Sequence, residues 1–416
     1  MKKWIAGLLV VVLALSTFSA AIAKNDKVKK KEKFRLGIEV LLQDKLDLIK
    51  GKRVGLITNP TGVDQNLDSI VDLLHKNPNV KLTALYGPEH GVRGSAQAGQ
   101  YVEKYTDEKT GLPVYSLYGS TKKPTPEMLK DVDVLLFDIQ DVGTRYYTYI
   151  YTMALAMEAA KENNIPIIVL DRPNPISGTK VEGPVLEDKY SSFVGEFPIP
   201  VRHGMTVGEL AELFNKEFGI GADLTVVKMD GWKRNMYYDD TSLQFIMPSP
   251  NMPTLDTALV YPGACLIEGT NVSEGRGTTR PFELIGAPFI DGSALADKLN
   301  SYHLPGVKFR DSSFIPTFSK FTNQLAHGVQ IHVTDRNSFK PFETGLYIVK
   351  TIHDMYPGQF QFRTPGSNGI SYFDNLVGNG SIRSDIEQGK SVEEMEAAWQ
   401  QDLNKFMETR EKYLLY

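Results

Sequence analysis

The feature that most constrains this chain is an alternation between Gly51 and Asp230. Short, near-continuous apolar runs, RVGLIT (Arg53–Thr58), VKLTALY (Val80–Tyr86), VDVLLFDIQ (Val132–Gln140) and IPIIVLD (Ile165–Asp171), are interleaved with longer stretches of helical spacing. Runs that lack polar alternation suit strands buried on both faces. The helical stretches are Leu67–Lys76, Tyr147–Asn164 and Met205–Gly219. Together they predict an α/β fold: a Rossmann-like, mostly parallel sheet covered by helices, with Asp223–Trp232 as one more strand. From Tyr237 to Pro281 the chain turns rich in Pro, Gly and Asn, and a second, smaller α/β domain follows. That domain is expected to hold a helix opened by GAPFIDGSALADKLNS (Gly286–Ser301), a strand at Gly328–Asp335 and a helix at Pro341–Pro357. The helical run from Ser391 to Tyr416 is expected to pack back on it. The two domains are drawn at 36–280 and 281–416.

Composition narrows the function classes. With 416 residues, 42% hydrophobic and 23% charged, the chain has ample core for two ordinary globular domains. Its 46 basic and 50 acidic residues leave a net charge of -4, without the basic excess of a nucleic-acid binder, so no nucleic-acid partner is expected. A single Cys265 forms no intramolecular disulfide and no cysteine zinc site, and between the apolar neighbours of YPGACLIEG it reads as buried and inert.

The N-terminus carries an address. Lys2 and Lys3 precede an apolar run from Trp4 to Leu15, and Ala21-Ile22-Ala23 has the small-x-small pattern of a signal-peptidase site. Residues 1–23 are therefore expected to be a cleaved signal peptide, leaving a secreted, extracytoplasmic protein with no stable membrane insertion. Residues 24–35, KNDKVKKKEKFR, have seven basic and two acidic residues and read as a basic flexible leader, able to associate with an anionic cell wall at low salt.

In an open parallel sheet, ligands bind beyond the carboxyl ends of the strands. Three successive segments there combine Gly and Pro with charged side chains: GPEHGVRG (Gly87–Gly94), DIQDVGTRYYTY (Asp138–Tyr149) and DRPNPISGTKVEGPVL (Asp171–Leu186). Glu89 and Glu182 each stand among glycines and prolines instead of on a helix face. Hydrolysis of a glycosidic bond commonly uses one carboxyl group as proton donor and a second as base, nucleophile or stabiliser. Glu89, on a rigid Pro-flanked loop, is the better candidate acid; Asp138, Asp141 and Asp171 compete with Glu182 for the second role. Arg93, Arg145, Arg172, Arg202 and Arg276 lie in Gly- or Pro-punctuated segments, where a guanidinium fork suits a carboxylate. Asn174, Asn251 and Asn271 suit hydroxyl or acetamido groups, and His90, Gln140 and His203 stand in or beside the same motifs.

Other chemistries lack their motifs. The histidines form no HExxH cluster, so no metal is expected. GxSxG, GxGxxG and the P-loop are absent, which argues against a serine hydrolase and against a bound nucleotide or dinucleotide. A solute receptor, binding a sugar or muropeptide without turning it over, is the alternative class.

The motifs GLITN, YGPEHGVRG, DIQDVGTRYYTY, VLDRPNP, EGPVL, FPIPVRHGMTVGELA, PSPNMPT and YPGACLIEGTNVSEGRGTTRPFE occur in this order. Together they resemble the NamZ-type exo-β-N-acetylmuramidases, secreted bacterial glycoside hydrolases formerly known as a domain of unknown function. The resemblance runs from about Leu36 to the C-terminus. It implies hydrolysis of non-reducing terminal MurNAc from peptidoglycan-derived saccharides such as MurNAc-GlcNAc, for cell-wall turnover and recycling, with no cofactor. It also implies a site in a cleft between a Rossmann-like domain and a smaller C-terminal one, with Glu89 and Glu182 matching the family's proposed catalytic glutamates. From composition, the segment Tyr237–Pro281 is expected to wall the pocket behind the terminal sugar.

Overall fold

Strands form where the apolar runs are, because those runs have helices on both sides to bury against. The computed structural model describes residues 34–94 and 104–416. The signal segment and most of the basic leader lie outside the described residues. Seven strands make the main sheet: β1 (Arg53–Thr58), β2 (Lys81–Gly87), β3 (Tyr105–Thr106), β4 (Pro113–Ser116), β5 (Val134–Asp138), β6 (Ile167–Leu170) and, later in the chain, β9 (Leu224–Val227). Their order is β3-β4-β2-β1-β5-β6-β9. All pairings are parallel except that of the short β3 with β4. Every residue of β5 and β6 is buried. The helices Gly37–Asp44 and Val207–Lys216 pack on β6 and β9, and Tyr149–Glu162 packs on Val207–Lys216. Strand order reverses between β1 and β5, which sets a crevice at their carboxyl ends.

Two smaller sheets follow. β7 (Glu182–Val185) and β8 (Pro200–Arg202) form an antiparallel pair. β10 (Leu284–Ala287), β11 (Val307–Phe314) and β12 (Ala326–Val333) form an antiparallel sheet in the order β10-β12-β11, with the helix Gly292–Ser301 on β11 and β12. The helix Pro341–Met355 packs on Gly292–Ser301. The fold is thus α/β with a large mostly parallel sheet and a smaller C-terminal region. One hydrophobic core runs through both, from Leu135 and Val169 to Val329 and Ile331.

Several elements differ from expectation. The Pro/Gly-rich stretch after Tyr237 contains a helix, Leu255–Ala264. β11 was not anticipated, and Gly286 and Ala287 belong to β10 instead of a helix start. The C-terminal helix Val392–Glu411 packs on Pro341–Met355 but also on β7, and the residues after it reach the edge of the main sheet, where the Tyr416 hydroxyl donates to Asp171 at 2.7 Å. No helix among the described residues is long and apolar enough to cross a membrane.

Candidate active site

β2 delivers Glu89. The strand ends at Gly87, and the chain turns through Pro88–Gly91, with the Gly91 N–H donating to the Pro88 carbonyl at 2.9 Å. The turn folds back so tightly that a Cβ on Gly87 would stand 2.8 Å from the Val92 nitrogen. Its third residue, His90, has φ 73°. That left-handed conformation costs a non-glycine residue about 1–2 kcal/mol, and such strain clusters at functional sites. His90 is buried and Glu89 half-buried. The Thr148 hydroxyl, just before the helix Tyr149–Glu162, donates to Glu89 Oε2 at 3.4 Å. Tyr118 also meets this carboxylate; burial first, and then Glu89, push its phenol up to about 12.

Glu89 and His90 open on a cavity of about 680 Å³, within the range of small-molecule sites. Tyr147, Tyr149 and Tyr261 give it aromatic surface, packed edge to face at 5.1 and 5.8 Å between ring centroids. The segment Tyr237–Pro281 does line it, through Ser249, Asn251 and Met252 and then, beyond the helix Leu255–Ala264, through Glu268, Glu274 and Arg276. Asn251 is 6% exposed and its Nδ2 is buried with no partner among the described residues, a donor left for a ligand. Arg276 holds both glutamates, Glu268 at 2.6 Å and Glu274 at 3.2 Å, and Glu274 also meets Lys320 at 2.9 Å. Cys265 reaches the same cavity, but burial pushes its thiol well up, which removes it as a nucleophile at neutral pH.

Of the residues singled out in the sequence, Glu89, His90, Asn251 and Arg276 meet in this cavity. Glu182 does not. It lines a separate cavity of about 420 Å³ beside the C-terminal helix, with its carboxylate 2.6 Å from Arg202 and accepting from the Phe342 N–H. Arg202 donates onward to the Ile176 carbonyl. Arg145 is fully buried and donates to four carbonyls, those of Pro184, Ile199, Leu376 and Val377, at 2.8–2.9 Å. Burial lowers its guanidinium to about 10; its two terminal nitrogens tie the β7–β8 pair to the helix Tyr372–Val377, and its Nε is buried without a partner among the described residues, away from the lining of either cavity. Asp138 is sealed against Arg172 at 2.5 and 2.8 Å. Gln140 donates to the Asp141 and Pro173 carbonyls, and Asn174 to the Met205 carbonyl. His203 accepts from the Met205 N–H and lies 3.3 Å from Asp141. Arg93 pairs with Asp107 at 2.9 Å, and Asn271 braces Gln359 and Gln361.

Two causes account for these departures. Arg145, Gln140, Asn174 and Asn271 satisfy buried or loop backbone groups, whereas Glu182, Asp138 and Arg93 are held in ion pairs within the protein. The residues that sequence reasoning missed fall into two groups. Glu268 and Glu274 stood inside a quoted motif but had no glycine or proline on both sides to mark them. Tyr118, Thr148, Lys320, Arg363 and Tyr372 also line the cavity, and the last three come from the C-terminal region with no local signal; only tertiary packing brings them there.

The chain is similar to known proteins along nearly its whole length. Residues 54–256 match the family model described as "Exo-beta-N-acetylmuramidase NamZ, N-terminal", and residues 259–416 match its C-terminal counterpart. The chain is 61% identical over 419 aligned residues to the peptidoglycan beta-N-acetylmuramidase NamZ of Bacillus subtilis (strain 168), covering 100% of both. Two solved DUF1343 family proteins from Bacteroides fragilis NCTC 9343 have the same fold. One superposes with a TM-score of 0.86 at 46% identity and the other with 0.74 at 34%, each over 92% of this chain and 99% of the solved one.

Proposed function

We propose that this chain, which belongs to the NamZ family of exo-β-N-acetylmuramidases, is a glycoside hydrolase that removes non-reducing terminal MurNAc from peptidoglycan fragments such as MurNAc-GlcNAc, in cell-wall turnover and recycling. The observation that carries this reading is full-length identity of 61% to a peptidoglycan beta-N-acetylmuramidase. The geometry around Glu89 supports it. A half-buried carboxyl group on a strained turn, contacted by Thr148 and Tyr118, opens on a cavity of sugar size with aromatic surface and an unused amide donor at Asn251.

Glu89 is then the general acid that protonates the departing glycosidic oxygen. Glu268 and Glu274 place carboxylates in the same cavity, where the bond's cleavage develops an oxocarbenium-like charge. Tyr147, Tyr149 and Tyr261 offer ring faces and edges to the apolar side of the sugar. Export follows from the N-terminal segment, with Lys24 as the first residue of the working enzyme.

The test is incubation of the chain from Lys24 onward with MurNAc-GlcNAc, following free MurNAc by mass spectrometry. Glu89→Gln keeps the shape and removes the transferable proton, so release should fall by about 10²–10⁴-fold. Near-normal release by the variant removes Glu89 from the role, and intact disaccharide with detectable binding to the wild type makes the protein a receptor.

A further inference from the structure

The arginine and lysine side chains that line the active-site cavity pair with carboxylates, with one exception among the described residues. Glu268 and Glu274 stand against Arg276 and Lys320, at 2.6–3.2 Å. Arg363 lines the same cavity, yet among the described residues its guanidinium has no carboxylate, carbonyl or hydroxyl partner. Its position is nevertheless held. The Arg363 N–H donates to the Gly269 carbonyl at 2.8 Å, which ties it to the turn carrying Glu268. Its guanidinium carbon lies 5.1 Å from the centroid of the Tyr372 ring, and the Tyr372 hydroxyl is 3.5 Å from Glu268. An aromatic neighbour steadies the guanidinium plane while leaving its N–H edge for a planar anion.

The proposed substrate brings one such anion. MurNAc differs from GlcNAc by a lactyl ether that ends in a carboxylate. We infer that Arg363 is the residue that pairs with this lactyl carboxylate and selects MurNAc over GlcNAc at the terminal-sugar site. The assignment rests on the exo-muramidase reading for the identity of the sugar. Arg276 and Lys320 are poor competitors, because drawing Arg276 toward a ligand strips Glu268 of its cation, and a buried charge left unpaired is costly, while Lys320 is already spent on Glu274 and the Ile267 and Val272 carbonyls. Arg363 is exposed and meets the ligand with no bond to give up. A charge-assisted, bidentate pair of this kind contributes about 10–100-fold to binding.

The experiment uses wild type, Arg363→Met and Arg363→Lys, with two readouts. The first is calorimetric binding of free MurNAc and free GlcNAc, which needs no turnover. Arg363→Met is expected to weaken MurNAc about 10–100-fold and leave GlcNAc unchanged, with Arg363→Lys between them for MurNAc. The second is turnover of MurNAc-GlcNAc, where Arg363→Met should raise KM by a similar factor while kcat stays within a few-fold. Unchanged MurNAc binding in Arg363→Met overturns the inference, as does an equal loss for both sugars, since a structural role weakens the two alike. Wild type that binds MurNAc through Arg363 without cleaving the disaccharide upholds the inference and overturns the exo-muramidase reading instead.

Discussion

Glu182 and Arg202 face each other on β7 and β8, and their burial decides what losing the pair does: Arg202 is 2% exposed and Glu182 14% at the side chain. Glu182→Gln keeps an acceptor oxygen but leaves a guanidinium charge uncompensated in the protein, a loss of up to about 3 kcal/mol of stability. Because Glu182 lines a different cavity from Glu89, turnover per folded molecule should stay within a few-fold of wild type. Guanidinium unfolding beside kcat/KM checks this, and a hundredfold loss of turnover at unchanged stability would return Glu182 to the reaction. The same pair shows why residue roles were only partly legible. Glu89 and Glu182 look alike in sequence, each framed by Gly and Pro. One lies in the turn that follows a parallel strand near the sheet's crossover, while the other sits in a two-stranded ribbon with an arginine opposite, and no local pattern distinguishes those settings. Arg145 fails in the same way: a side chain suited to grip a carboxylate serves four carbonyls just as well.

At the scale of elements, the helices Leu255–Ala264 and Pro341–Met355 cross at a pair of glycines. A Cβ on Gly263 would stand 1.9 Å from the Pro341 carbonyl oxygen, and one on Gly345 would stand 2.4 Å from the Gly263 oxygen. Backbone meets backbone there, so no side chain can swing away to make room. Gly263→Ala should therefore cost about 1–3 kcal/mol or more as the helices are forced apart. The first helix carries Tyr261 and leads into the turn with Glu268, so the shift reaches the cavity, and turnover should fall together with the unfolding midpoint. An alanine variant with wild-type stability would mean that the helices cross less closely than this. The crossing also explains an element that the sequence hid. Pro262 and Gly263 read as breakers, but packing against Pro341–Met355 overrides local propensity. β11, VKFRDSSF, is half exposed, and its charged and hydroxyl residues dilute the strand pattern. β1, β2, β5 and β6 fall within a few residues of expectation because burial on both faces writes itself into composition.

At the scale of the whole molecule, the last residue of the chain closes on the main sheet, and this makes stability depend on pH in a way that one carboxyl group reports. Asp171, at the end of β6, is fully buried and accepts from the Tyr416 and Thr206 hydroxyls and the Gly208 N–H at 2.7–2.8 Å. Burial dominates, the nearby Glu209 adds to it, and those donors only moderate the result, so the carboxyl group is raised from 3.8 to about 7. An unfolded chain ionises the same group near 3.8. Between those values the folded state holds a proton that the unfolded state has lost, so stability must fall as pH rises through the window. The contribution is fully present below about pH 4 and gone above about pH 7. Glu196, raised to about 7 by burial and then by Glu158, acts with the same sign. Asp171→Asn takes no part in the titration and keeps the size of the side chain. The unfolding free energy of the variant minus that of wild type should therefore increase between pH 5 and pH 8, with the titrations not coupled to Asp171, Glu196 included, cancelling in the difference. Urea unfolding of both proteins at the two pH values measures it. A difference that stays constant would mean that Asp171 is already ionised at pH 5, with the donors from the chain's end outweighing its burial.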